Sequence, residues 1–304
     1  MNKYEVIVYH ADCHDGFGAA TVAYKHLIEK YGIDYANTVD FHAAHYGSKL
    51  PNIKGKHVLI LDFSYDNDVM KYIQENSKSL FVIDHHKSAN ERFKNLNKKN
   101  YLLSMDNAAA VLTWKYFNMD KPVPKFLKYI EDRDMWWNKM ENFKEIFLAL
   151  TVFEKKLSLW LEQVNNFNEQ YFLEIGKILL IKENDDIKTM LKSVYIKKFY
   201  INDAIFNVGY VNSKLYRSDL GNLIMLKYNF LDFAAIYYYE GKYNKTIFSL
   251  RSLGCDVSKV ASHFGGGGHN EAAGLSIKGK YIELPNVILK KSNDIYYDKT
   301  VYHC

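Results

Sequence analysis

Cysteine is scarce in this 304-residue chain. Cys13, Cys255 and Cys304 are odd in number and far apart, and no CxxC pair occurs. That excludes a disulfide framework and points to a reducing compartment. Proline is limited to four residues, and none falls between 142 and 198. No apolar run approaches the roughly 20 residues that span a bilayer. Met1 to Glu5 lead straight into a strand pattern, which predicts no cleaved leader and a cytoplasmic protein with no membrane partner. An excess of one charge is missing too. The net charge is +5, and no concentrated basic stripe marks a binder of long nucleic acid. What remains, 48% hydrophobic and 25% charged residues, is the composition of an ordinary globular protein long enough for two cores.

The first half alternates short apolar runs with amphipathic helical patterns. Strands are predicted at 4–9, 38–43, 58–61, 80–84 and 101–104. Helices are predicted at 16–30, 66–76 and 107–117, with a further one opened by Pro122 and Pro124. This alternation predicts an α/β parallel sheet with right-handed crossovers. From 142 to 198 the spacing of apolar residues becomes helical. Strand patterns resume at 204–211, 233–239 and 246–250, with helices at 218–228 and 256–264. The expected organisation is an α/β domain over 1–150, a helical connector over 151–198, a smaller α/β domain over 199–280 and a weakly patterned tail over 281–304.

Three apolar strands end in ionisable residues. Val6 to Tyr9 run into His10, Asp12, Asp15 and Gly16. Val58 to Leu61 run into Asp62. Leu80 to Ile83 run into Asp84-His85-His86. Strand C-termini are where ligands bind in open α/β sheets, and buried ionisable groups are costly without a partner charge. A metal site explains the three ends together. Mixed carboxylate and imidazole ligands suit Mn²⁺, Fe²⁺ or Zn²⁺, whereas Mg²⁺ prefers oxygen alone. Asp62 taken singly fits a helix N-cap as well as a ligand. Asp132 and Asp134 lie two apart on a helical pattern, so they face different ways and one of them at most points at a given site. His14, His42 and His45 read as surface or supporting groups. Gly265, Gly266, Gly267 and Gly268 precede His269. The run fits either a flexible turn or a backbone that wraps an anion. Arg251, closing a strand pattern, is a candidate phosphate clamp.

These motifs, in this order, resemble the DHH/DHHA1 phosphoesterases. The match runs from His10-x-Asp12-x-x-Asp15-Gly16 through Asp62, Asp84-His85-His86 and an Asp near 132 to the Gly265–His269 loop. The first motif departs from the family's usual spacing, with Cys13 and His14 between its aspartates. The resemblance implies an N-terminal domain holding two divalent cations, Mn²⁺ foremost with Mg²⁺ or Co²⁺ as alternatives. It also implies a C-terminal DHHA1-like domain that binds substrate across a cleft. His10, Asp12 and Asp132 would hold one cation, Asp15 and His85 the other, and Asp62 would bridge both. His86 would contact the phosphate or leaving group, and Asp84 would orient a histidine. Arg251, Gly265 to Gly268 and His269 would hold the substrate. The implied activity is hydrolysis of phosphoester bonds in short single-stranded oligonucleotides or small nucleotides by hydroxide activated between the two cations. Polyphosphate or pyrophosphate hydrolysis and a non-catalytic nucleotide-binding scaffold are the rival readings. A homodimer is compatible with either.

Overall fold

The computed structural model describes residues 3–45, 47–87, 89–119, 121–289 and 295–297. Of the expected 281–304 tail, residues 290–294 and 298–304, including Cys304, lie outside the described residues, as does Ser88 in the turn after His86. The chain forms two compact units, Met1–Leu180 and Ile181–Cys304. Among the described residues no helix is long and apolar enough to cross a membrane.

The first unit is built on a five-stranded parallel sheet. Its strands are β1 (Val6–His10), β2 (Asp40–Ala44), β3 (His57–Leu61), β4 (Ser79–Asp84) and β5 (Tyr101–Leu103), in the order β2-β1-β3-β4-β5. β1, β3 and β4 are almost wholly buried, because helices cover both faces. On one face α1 (His14–Tyr31) packs through Phe17, Ala19, Val22, Ala23 and Leu27. A short α2 (Ile33–Ala36) follows it. The other face is covered by α3 (Asn67–Asn76) and α4 (Ala89–Arg92), which with the loops beside them bury Met70, Ile73 and Phe93. Strand order reverses between β1 and β3. That topological switch opens a crevice at the carboxyl ends of the strands.

Further helices complete the first core: α5 (Ala109–Asn118), α6 (Lys125–Asp134), α7 (Phe143–Val152) and α8 (Leu157–Asn165). α9 (Glu169–Leu191) then carries the chain into the second unit. The stretch expected to be a connector is therefore divided. Trp160 is fully buried, with its ring 4.9 Å from Phe17 and 5.3 Å from Phe126, and Val164 and Phe172 join the same core. These large side chains fasten α8 and the start of α9 to the first unit.

The second unit is a mixed eight-stranded sheet. β6 (Tyr195–Ile201) and β7 (Ala204–Asn212) pair antiparallel. α10 (Arg217–Lys227) makes the crossover to β8 (Phe233–Glu240), which runs parallel to β7. β9 (Lys245–Arg251), α11 (Val257–Ser262), β10 (Gly267–His269) and β11 (Ala272–Lys278) follow, then β12 (Val287–Leu289) and β13 (Ile295–Tyr297). β6 begins inside the segment whose sequence reads as helix. Its residues 196–198 are exposed, so no buried alternation announces it.

Two histidines of α1 report on the stability of the first unit. Burial, with Lys155 beside His14 and Lys30 beside His26, lowers both from 6.5 to about 4. Between these values the folded chain keeps both rings neutral while the unfolded chain takes up protons. Stability is therefore full above about pH 6.5 and declines as pH falls towards 4. His26 stacks on Phe117 at 4.2 Å. His26→Leu is expected to flatten part of this decline in melting temperature; profiles parallel to the parent's would refute the assignment.

Candidate metal centre

The site residues converge because three strands stop at one crevice. β1 ends at His10, and the chain turns through Ala11 and Asp12 into Cys13, the N-cap of α1. Gly16 lets the helix begin this close. A Cβ there would lie 2.6 Å from the His10 carbonyl oxygen and 2.9 Å from the His10 Cβ. β3 ends one residue before Asp62, whose backbone has φ +55°. That left-handed conformation is uncommon for a non-glycine residue, and such outliers gather at functional sites. β4 ends at Asp84, and its carboxylate sets the turn that follows. Asp84 Oδ1 accepts from the backbone N–H of His85 (2.8 Å) and of His86 (3.1 Å), and lies 2.8 Å from His86 Nδ1.

His85 is the meeting point. Its Nε2 is 3.2 Å from Asp62 Oδ1, 3.3 Å from Asp134 Oδ2 and 3.6 Å from Asp15 Oδ2. The other Asp62 oxygen faces His10 Nδ1 at 3.4 Å. Neither oxygen of Asp62 accepts a geometrically sound hydrogen bond, although the residue is 1% exposed. Asp15 is equally buried, and its oxygens accept from the N–H groups of Ala109 (2.7 Å) and Ala110 (2.8 Å) at the start of α5. Glu131 supports that turn by accepting from Asn107 Nδ2 and the Ala108 N–H.

Electrostatics show an excess of negative charge. Burial, together with Asp62, raises both Asp15 and Asp134 above the ordinary carboxylate range. Burial would raise Asp62 as well, but the contacts of His10 and His85 hold it at about 2. Burial opposes protonation of His85, yet Asp62, Asp15 and Asp134 lift it to about 9. Without a cation the group neutralises itself with protons; a divalent ion would serve instead. Three sets of ligand atoms lie close enough to hold one: His10, Cys13 and Asp62; Asp62, His85 and His86; Asp15, His85 and Asp134. The donor chemistry and the orphaned Asp62 oxygens fit metal binding.

Two expected ligands lie elsewhere. Asp12 has φ +54° and its side chain is 91% exposed; it points away from the cluster, with His45 Nε2 at 3.4 Å. The turn after β1 is what swings it out. Asp132 is buried, but its oxygens accept from the N–H groups of Lys139 (3.0 Å) and Met140 (3.2 Å), so it folds the loop after α6. Asp134, two positions further along α6, faces His85 instead. Among the other histidines, His14 packs against Phe147 and Trp160. Beside the cluster lies a cavity of about 240 Å³ lined by Arg133, Trp136 and Phe147. The Arg133 guanidinium sits 4.4 Å from the Trp136 ring and 4.6 Å from that of Phe147. No sequence pattern singled out these three, since the loop after α6 brings them together.

In the second unit the glycine run is a strand edge rather than an open wrap. A Cβ at Gly266 would meet the Gly274 carbonyl oxygen at 2.3 Å, and one at Gly268 the Ala272 oxygen at 2.5 Å. β10 pairs with β11 through these close approaches. Gly265 takes φ +73°, while Gly267 faces open space. His269 is exposed beside a hollow that also carries Asp256, Asn270 and Glu271. Arg251 donates to the Leu250 carbonyl and to Ser218 Oγ, each at 2.8 Å. Burial and the neighbouring Arg217 lower its affinity for its proton.

An acidic and imidazole cluster at the switch point of a parallel sheet, followed by a mixed-sheet unit, defines a recognisable class. A sequence model of the DHHA1 domain matches residues 206–295. Uncharacterized protein R106 of Acanthamoeba polyphaga mimivirus is 30% identical over 288 residues, 91% of this chain and 68% of that protein. Oligoribonuclease NrnB of Bacillus subtilis (strain 168) is 27% identical over 235 residues, 70% of this chain but 56% of that protein's length. Among solved structures, the pGpG-specific phosphodiesterase PggH from Vibrio cholerae shares the fold at 13% identity, with a TM-score of 0.52 over 90% of this chain and 93% of that one. The chain belongs to the DHH/DHHA1 phosphoesterase family.

The two acidic residues of α6 separate by experiment. Asp134→Asn, which removes a direct donor, is expected to weaken divalent-cation binding by at least the roughly 10- to 100-fold that loss of a supporting residue costs, measured by equilibrium dialysis. Asp132→Asn is expected to lower the melting temperature and leave cation affinity nearly unchanged. The reverse pattern would restore Asp132 as the ligand.

Proposed function

We propose that this chain is a divalent-cation-dependent phosphoesterase that hydrolyses phosphoester bonds of short oligonucleotides or small nucleotides. The observation that carries this reading is the gathering of Asp15, Asp62 and Asp134 around His85 at the switch point. Asp62 presents one oxygen to His85 and the other to His10, the placement of a carboxylate shared by two cations. When bound, a cation pair, with Mn²⁺ the first candidate, activates water and offsets charge on the phosphoryl oxygens. Asp15 holds its orientation through the amides of α5 and offers Oδ2 to the centre. Asp84 fixes the His86 ring through Nδ1, which leaves Nε2 to meet a phosphate or a leaving oxygen.

A nucleotide rather than an inorganic chain is favoured by what borders the centre. Trp136 is 62% exposed and offers a ring face to a base, and Arg133 offers a guanidinium to a phosphate. The relatives' names agree in kind: one is an oligoribonuclease, and the solved neighbour acts on pGpG. In the second unit Arg251, with Arg217 beside it, suits a terminal phosphate. The hollow at His269, with carboxylates along its wall, suits base edges and ribose hydroxyls. The small net charge favours a short substrate over a polymer.

Hydrolysis of a panel with Mn²⁺ tests the proposal: 3′-phosphoadenosine-5′-phosphate, di- to pentanucleotides, cyclic dinucleotides, single-stranded DNA and polyphosphate. Turnover of polyphosphate alone would overturn the nucleotide reading. Asp62→Asn is expected to abolish turnover and cation binding together; near-normal activity with bound cations would exclude a shared carboxylate. Arg251→Ala is expected to raise KM about tenfold or more, the loss of a charge-assisted contact, with cation occupancy unchanged. Loss of the cations in that variant would make Arg251 structural.

A further inference from the structure

The side of the centre next to β1 lacks the carboxylate that the opening motif would lead one to expect. Asp12 is turned into solvent. What stands there is Cys13. Its Sγ, a ring nitrogen of His10 and a carboxylate oxygen of Asp62 all lie within 4.8 Å of one another. We propose that Cys13 is a ligand of the first cation, as a thiolate, in the place an aspartate would take. The inference rests on the metal-centre reading above and refines it.

Asp62 supplies independent support. It is 1% exposed, and only the imidazoles of His10 and His85 face its oxygens, neither in sound hydrogen-bond geometry. Oδ2 faces His10 Nδ1 at 3.4 Å, and one oxygen of the same carboxylate lies within 4.8 Å of the Cys13 sulfur. A buried carboxylate, an imidazole and a thiol gathered this closely are a donor set that would suit a divalent cation. Cys13 is the N-cap of an 18-residue helix, but burial and the carboxylates of Asp62 and Asp15 push its thiol well above the ordinary range, so the sulfur gives up its proton only when a cation binds. Binding releases the thiol proton to solvent as the S–metal bond forms. Sulfur is also a softer donor than oxygen. The site next to β1 should therefore prefer Co²⁺, Zn²⁺ or Cd²⁺ over Mg²⁺ more strongly than a carboxylate-only site would.

The test uses the full chain stripped of metal and titrated with Co²⁺, read by absorption and by equilibrium dialysis. We expect two Co²⁺ per chain and a sulfur-to-cobalt charge-transfer band in the near ultraviolet. The band should persist in a Cys255→Ser, Cys304→Ser double variant and in Asp12→Asn, and vanish in Cys13→Ser. Cys13→Asp guards against misfolding: it should retain two cations, lose the band and bind Cd²⁺ less well relative to Mn²⁺ than the parent does. Two bound Co²⁺ without the band would overturn the thiolate ligand and leave the metal centre standing. Loss of one cation in Asp12→Asn, with Cys13→Ser unaffected, would return the role to Asp12. No Co²⁺ bound at all would overturn the centre itself.

Discussion

Three carboxylates held close together in a buried crevice repel one another, and the architecture of the first unit is arranged around containing that repulsion. The opposing charge comes from His85, placed between Asp15, Asp62 and Asp134, with His10 on the far side of Asp62. An imidazolium is an imperfect counterion for so much charge. Its elevated proton affinity and the reluctance of Asp15 and Asp134 to ionise show the same deficit from both sides. Parallel strands reach this arrangement economically. Each delivers one tip to the crevice, while its body is buried by helices on both faces.

Much of this could be read along the chain. The apolar runs before His10, Asp62 and Asp84 marked β1, β3 and β4, because buried parallel strands are continuous hydrophobic stretches that end abruptly. Those strand ends alone bring Asp15, Asp62 and His85 to one edge of the sheet. Local backbone geometry was harder to see. Whether Asp12 or Cys13 faces inward depends on a single left-handed residue in the turn after β1. Whether Asp132 or Asp134 faces His85 depends on the phase of α6 and on a loop that recruits Asp132 for its own amides.

The second unit was legible in its strands and less so in its details. β7, β8 and β9 alternate or run apolar as buried strands do, whereas β6 is mostly exposed and blends into the helical pattern before it. The four glycines advertise conformational freedom, but the structure uses two of them for closeness to β11, a partner not identifiable from the run itself. The helical segment after α7 looked like a bridge because its apolar spacing was regular. Trp160 shows that this stripe was facing a core already present.

Asp15 serves two masters. The same carboxylate that looks toward His85 also anchors the amino end of α5 through both of its oxygens. Losing Asp134 would shed one of the repelling charges at small cost to the architecture, yet losing Asp15 would leave two buried amides without acceptors. The aspartate at this position is therefore a structural part of α5 as much as of the centre, and the helix would need it even with no cation to hold.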